Sequence, residues 1–192
     1  MLFSKNPERF LPDLWPSYFS KAKGINIWDL SGKKYIDMSL MSVGTNILGY
    51  ANKLVDKSVN QAISKGNMST LNCPEEVILA EKLIELHPWA QMAKFTRTGG
   101  EANAVAVRIS RAYSKKDGIA ICGYHGWHDW YLAANVSSSK KLDDHLLKNL
   151  NVCGVPKSLK NTVFPFNYNN FTELKNIIKK NRLGVKPISR IL

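Results

Sequence analysis

Cysteine, acidic residues and long apolar runs are all scarce in this chain. Three cysteines, Cys73, Cys122 and Cys153, occur in 192 residues. Odd in number, widely spaced and without a C-x-x-C pair, they indicate neither a disulfide framework nor a zinc site. Cys122 stands in an apolar stretch that reads as a buried strand, and the thiols are expected to be reduced and inert. No run approaches the roughly 18 apolar residues of a membrane span, so no membrane partner is expected. The opening residues, Met1-Leu2-Phe3-Ser4-Lys5-Asn6-Pro7, carry neither an apolar targeting segment nor an Arg-rich amphipathic helix. A cytoplasmic address is the default. Internal repeats and low-complexity tracts are also missing.

Asp and Glu number 15 against 27 Lys and Arg, a net charge of +12. An excess of this sign is what a nucleic-acid or membrane-surface binder carries. Here the basic residues are dispersed, with only short clusters such as Lys115-Lys116, Lys140-Lys141 and Lys179-Lys180, in a chain also rich in Asn. A compositional bias toward Lys and Asn accounts for the excess, and no nucleic-acid partner is expected. Salt-sensitive binding of DNA or RNA would be the mark of the opposite reading. With 44% hydrophobic residues and five Trp, the chain has the material for a core and is not of the disordered class.

Residues Asn6 to Phe19 place Phe10, Leu11, Leu14 and Trp15 between prolines, which predicts a short helix or turn. Ile25-Asn26-Ile27-Trp28 and Lys34-Tyr35-Ile36-Asp37 flank Asp29-Leu30-Ser31-Gly32, a β-hairpin pattern. Leu54, Val55, Ser58, Val59, Ala62 and Ile63 follow helical spacing up to Gly66-Asn67. A second helix is expected from Pro74, with Glu75 and Glu76 at its positive end, until Pro88. Met92 to Thr96 is a strand candidate, Glu101 to Ser114 a helix, and Gly118-Ile119-Ala120-Ile121-Cys122 a buried strand. In that order they predict a parallel βαβ unit. Val136 to Lys160 reads as a surface excursion with a helical turn around His145 to Leu150. Thr162 to Phe166 is a further strand candidate, followed by an amphipathic helix carrying Phe171, Leu174, Ile177 and Ile178. Asn169 or Asn170 is its candidate cap. The fold class is α/β.

Two segments carry chemistry. Gly99 and Gly100 fall where a strand gives way to a helix. Glycines there admit close approach of a ligand, and the first unpaired N–H groups of the helix, with its dipole, form an anion site. A tight turn that needs positive φ explains the same pair without any ligand, and the spacing is neither the six-residue nucleotide fingerprint nor a P-loop. The second segment, Gly123-Tyr124-His125-Gly126-Trp127-His128-Asp129, follows a predicted strand. Ligands of parallel sheets gather at the carboxyl ends of strands. Tyr124 can cover a planar ring there, and His125 can hydrogen-bond to it or orient a neighbour. Packing at a strand end explains either residue alone. His125, His128 and Asp129 lack a fourth ligand, so no metal is expected. An anion cup beside a stacking ring fits pyridoxal phosphate.

Taken together, four motifs occur in order: Trp28-Asp29-Leu30-Ser31-Gly32-Lys33-Lys34-Tyr35-Ile36-Asp37, Asn46-Ile47-Leu48-Gly49-Tyr50, Thr98-Gly99-Gly100-Glu101-Ala102 and Tyr124-His125-Gly126. On these the chain resembles the class III aminotransferases, most of all the glutamate-1-semialdehyde aminomutases and their relatives, over nearly its whole length. The resemblance implies a fold-type-I, aspartate aminotransferase-like α/β fold and a homodimer. Residues 1–70 would be the N-terminal segment of a small domain and the active-site mouth, with Ser39 to Gly44 near that mouth. Residues 71–192 would be part of a cofactor-binding large domain. It also implies pyridoxal 5'-phosphate as cofactor, a small-molecule amino-group donor and acceptor, and transfer through Schiff-base intermediates. Gly99 and Gly100 would hold the phosphate, Tyr124 would stack on the pyridine ring, His125 would lie beside it, and Glu101 and Asn103 would begin the phosphate helix.

Members of that family are much longer. Beyond the region matched here they use an Asp against the pyridine nitrogen and a Lys for the Schiff base. No Asp follows Asp144 in this chain, and Lys175, Lys179 and Lys186 belong to an amphipathic helix and tail where they are expected to be solvated. The chain therefore reads as an N-terminal fragment, from a truncated or frameshifted reading frame or a partial piece, without a catalytic residue of its own. Such a fragment would leave an open strand edge and bind the cofactor weakly, as the free aldehyde. A catalytically inert product or interaction module of the same fold is the alternative.

Overall fold

A computed structural model describes residues 7, 11, 14–41, 44–66, 69–138, 141–145 and 147–181. The chain divides into two compact units, Met1–Cys73 and Pro74–Leu192.

The first unit is built on an antiparallel sheet of β1 (Phe19–Lys23), β2 (Asn26–Asp29) and β3 (Lys34–Ile36), in that order. The expected hairpin is the β2–β3 pair, with Ile27 opposite Tyr35. Asp29 closes its turn: one carboxylate oxygen accepts from Ser31 N, Ser31 Oγ and Lys33 N, and the other from Tyr35 Oη at 3.0 Å. These bonds, that of the Ser31 hydroxyl first, hold the Asp29 carboxyl below the usual range. Strand β1, which alternates weakly and carries a register shift between Phe19 and Lys21, adds an edge that sequence reading missed. Helix α1 (Lys53–Ser64) follows, capped by the Asn52 side chain on Leu54 N and Val55 N. Near the N-terminus, Leu14 N and Trp15 N donate to Leu11 O, so this stretch holds a turn; Pro16 to Tyr18 are not helical and Phe19 already opens β1, while residues 6, 8–10, 12 and 13, like Asn67, lie outside the described residues.

The second unit contains α2 (Pro74–Leu86), α3 (Gly99–Ser114), β4 (Ile119–Ile121), α4 (Asp129–Ser137), a 3₁₀ turn (Lys157–Leu159), β5 (Val163–Pro165) and α5 (Phe171–Asn181). Strands β4 and β5 pair in parallel, Ile119 with Val163 and Ile121 with Pro165. Among the described residues this sheet has two strands, so each keeps an unpaired edge. The core is Ile121, Tyr131, Ala133, Ala134, Leu142 and Val163, with Trp130, Leu132, Leu150 and Leu159 packed around it. Asn135 is buried but satisfied: its oxygen accepts from Leu142 N at 3.0 Å and its amide donates to Leu150 O at 3.4 Å. That amide ties the 141–150 excursion to α4, as burial of a polar group demands. The Asn170 side-chain oxygen, Oδ1, accepts from Glu173 N at 3.1 Å, so Asn170 rather than Asn169 caps α5.

Three expectations are corrected. Residues 92–96 form no strand: Met92 is 86% exposed and nothing among the described residues pairs with the segment. A strand exists only by virtue of a partner, so the predicted βαβ unit opening at Met92 is not formed, and the parallel pair is β4 with β5 instead. Among the described residues of 145–150 there is no helical turn; the local turn lies earlier, with His145 N bonded to Leu142 O, and the 3₁₀ turn lies later. Helix α4 was not foreseen. Buried on nearly every side around Tyr131, Ala133, Ala134 and Asn135, it shows no apolar stripe to read.

Candidate functional site

The N-terminus of α3 is a complete capping box. Thr98 Oγ1 accepts from Glu101 N at 3.2 Å, while the Glu101 carboxylate accepts from Thr98 N at 3.2 Å and Arg97 N at 2.9 Å. Gly99 and Gly100 are the first two helical residues, and the cap leaves their amides unused. Neither has positive φ, so a strained turn is not why glycine stands there. At Gly99 a Cβ would meet open space. At Gly100 it would overlap the His128 imidazole, whose Nδ1 lies 2.8 Å from that position. Gly100 is bare because a histidine sits on it.

The loop leaving β4 supplies the facing wall. Gly123 and Gly126 adopt φ of +87° and +106°, values that exclude side chains with a Cβ at low cost and bracket Tyr124 and His125 between two sharp bends. The wholly buried Tyr131 supports the loop from below. It meets Tyr124 edge-on at 5.8 Å and His125 at 6.1 Å between ring centroids. Burial, then the neighbouring Tyr124, push the Tyr131 phenol up to about 12, so it is neutral and able to donate to Gly123 O, 3.5 Å away. His125 Nε2 lies 2.8 Å from the Cys122 carbonyl, and because a carbonyl only accepts, that nitrogen carries the proton. Tyr124 is 38% exposed, leaving ring surface available. His145 Nδ1 accepts from Gly123 N at 2.9 Å, and burial holds its pKa below the usual imidazole value.

Helix and loop are brought together. Asn103 Nδ2 donates to His125 O at 3.2 Å, and a Cβ on Gly126 would come within 3.8 Å of Gly100 Cα. The side chains that make this junction are Asn103 and His128. Sequence reading placed Asn103 only at the start of the helix and weighed His128 only as a metal ligand; i, i+4 spacing of Asn103 behind Gly99 was the available signal. Lys175 and Lys179, on α5, are exposed. A groove of about 670 Å³, lined by Phe164, Phe166, Ile177 and Lys180 among others, runs along β5 and α5. It contains none of Gly99, Gly100, Tyr124 or His125 and touches the site only through His145.

Comparison with known proteins then decides the family. The class-III aminotransferase family model matches residues 13–183. The chain belongs to the class III aminotransferases. It is 34% identical over 179 residues to the 3-aminobutyryl-CoA aminotransferase of Cloacimonas acidaminovorans, covering 93% of this chain and 39% of that protein. It is 36% identical over 157 residues to the glutamate-1-semialdehyde 2,1-aminomutase of Methanothrix thermoacetophila, covering 80% of this chain and 35% of that one. Among solved structures, the PLP form of the FumI protein of Sphingopyxis sp. MTA144 superposes with a TM-score of 0.76 at 25% identity, over 94% of this chain and 40% of that chain. The fold is that of the PLP-dependent transaminases, mixed α/β, and this class III chain spans about two fifths of the length of the relatives it matches.

Proposed function

We propose that this chain supplies the cofactor anchor of a class III aminotransferase or aminomutase that takes pyridoxal 5'-phosphate. The carrying observation is the closure of the 123–128 loop on the N-terminus of α3 through Asn103 and His128. The residues fit the cofactor's shape: two unused helix amides at Gly99 and Gly100 for a phosphate, and an accessible aromatic face at Tyr124 for a flat ring. When bound, pyridoxal phosphate supplies the electron sink through which an amino group is moved.

The chain's own residues bind and orient. Gly99 and Gly100 direct backbone N–H groups at the phosphate, with the helix dipole adding roughly half a positive charge. Tyr124 covers the ring, and the three-sided support of Tyr131, Gly123 and Gly126 fixes its plane. His125, with its Nε2–H committed to Cys122 O, would lie beside the ring as a flat wall held in a fixed orientation. The Schiff-base lysine and the pyridine-nitrogen aspartate are not among these residues. Amino-group chemistry, a small-molecule donor and acceptor, assembly as a homodimer and a cytoplasmic setting are proposed for the longer protein.

Titration of the chain with pyridoxal phosphate, followed by quenching of Trp127 and Trp130 fluorescence, tests the anchor. Saturable binding that weakens in Tyr124→Ala is expected; binding indifferent to both Tyr124→Ala and competing phosphate refutes it. Borohydride reduction and a mass measurement then tell whether the cofactor is fixed covalently to this chain, which the inert-fragment reading forbids.

A further inference from the structure

The seat of His128 on Gly100 is not explained by the cup or by the stacking ring. Position 128 is the residue before α4, where Ser, Thr, Asp or Asn would cap the helix, yet the His128 side chain makes no capping bond. Its Nδ1 is buried and has no hydrogen-bond partner among the described residues. That nitrogen lies 2.8 Å from where a Gly100 Cβ would be and 3.9 Å from where a Gly126 Cβ would be. The imidazole is thus wedged between the helix that offers the amides and the loop that offers the ring. Trp127 stacks on it, with centroids 4.7 Å apart and planes 29° from parallel.

We propose that His128 is a positioning residue: wedged on the bare Cα of Gly100, it sets the spacing between the α3 amides and the Tyr124 ring. Gly100 and His128 are then a complementary pair, one lacking the atom whose place the other takes. Resting on the cofactor-anchor reading, the role makes a distinction that a merely structural residue would not. Inorganic phosphate needs only the α3 amides, whereas pyridoxal phosphate needs the amides and the ring at a fixed separation. Loss of the wedge should therefore weaken pyridoxal phosphate and spare inorganic phosphate.

The test uses the full chain as Gly100→Ala, His128→Ala and the double variant, with affinities for pyridoxal phosphate and for inorganic phosphate and a thermal unfolding curve for each. His128→Ala should bind pyridoxal phosphate about tenfold more weakly, as a misplaced binding element does, with inorganic phosphate unchanged. Gly100→Ala alone should lower both the unfolding temperature and the cofactor affinity, because the added methyl meets the ring. Added to His128→Ala, the same methyl should cost nothing further in either measurement, having room to sit. Equal losses of pyridoxal phosphate and inorganic phosphate in His128→Ala would make His128 a direct phosphate contact and overturn the positioning role. Additive penalties in the double variant would overturn the pairing. A parent chain that binds no pyridoxal phosphate would sink the proposed function and this role with it, whereas additive penalties in a parent that binds it would sink the role alone.

Discussion

Replacing Asn103 by Ala removes the hydrogen bond that ties α3 to the Tyr124–His125 loop, Nδ2 to His125 O at 3.2 Å. A neutral bond of this kind contributes about 1 kcal/mol net. Asn103 is only half-buried, so water replaces the lost donor and the larger cost of a stranded buried carbonyl does not apply. Position 103 also lies within α3, where Ala is the better helix former by roughly 0.5 kcal/mol, which offsets half the loss. Net stability should fall by only about 0.5 kcal/mol, a shift of about 1–2 °C in unfolding temperature for a chain of this size. Helix propensity does not help a ligand that bridges helix and loop, so affinity for pyridoxal phosphate should carry the whole effect, about fivefold for 1 kcal/mol. Isothermal titration of parent and variant, beside a thermal melt, separates the two. An affinity unchanged within twofold would show that the bond does not hold the loop where a ligand needs it. A drop of several degrees in the melt would show that Asn103 supports the fold instead.

Tyr124→Ala should weaken pyridoxal phosphate binding by about fivefold, for a stacking contribution on the order of 1 kcal/mol, while Tyr124→Phe stays near the parent in the same fluorescence titration. Thr98→Ala opens the capping box and should destabilise the chain by about 1 kcal/mol, or about 2–4 °C, with Thr98→Ser restoring most of it in a thermal melt. His145 must be unprotonated at Nδ1 to accept from Gly123 N, and burial lowers its folded pKa below 6.5. The unfolded chain then binds the proton more readily, so this contribution to stability is complete above pH 6.5 and is lost as pH falls through the folded value. Urea unfolding from pH 8 to pH 5 should show that acid slope in the parent and a shallower one in His145→Asn; equal slopes would remove His145 from the account.

What could be read from the sequence was what depends on neighbours along the chain. The β2–β3 hairpin, α1, α2, α3 and α5 announce themselves by turn residues, caps and a periodic apolar face, and each stands within a residue or two of its expected place, α3 opening at Gly99 rather than Glu101. What was hidden depends on distant partners. Residues 92–96 have the composition of a strand but no strand beside them, and α4 is so enclosed that its pattern carries no period. The site shows the same division. Gly99, Gly100, Tyr124 and His125 were marked by residue type and by position at element ends. The parts played by Asn103 and His128 arise only when residues some 22 to 28 apart in sequence meet, and local spacing cannot show that.

Rigidity at this site does not come from a sheet. The segment leading into α3 is unpaired, and β4 is three residues long. The 123–128 loop is instead pinned at separate points to separate elements: Gly123 N on His145, Tyr124 and His125 over the buried Tyr131, His125 O on Asn103, and His128 on Gly100. Each pin is individually worth no more than a hydrogen bond or a ring contact, about 1 kcal/mol. Cutting one should relax the loop without unfolding the unit, since none of the pins belongs to the six-residue core apart from Tyr131. Tyr131→Leu is accordingly the substitution that should do both. It keeps an apolar side chain in the core but removes the edge-on support of two site rings and the donor to Gly123 O, so cofactor affinity and unfolding temperature should fall together, where Asn103→Ala and His128→Ala separate them.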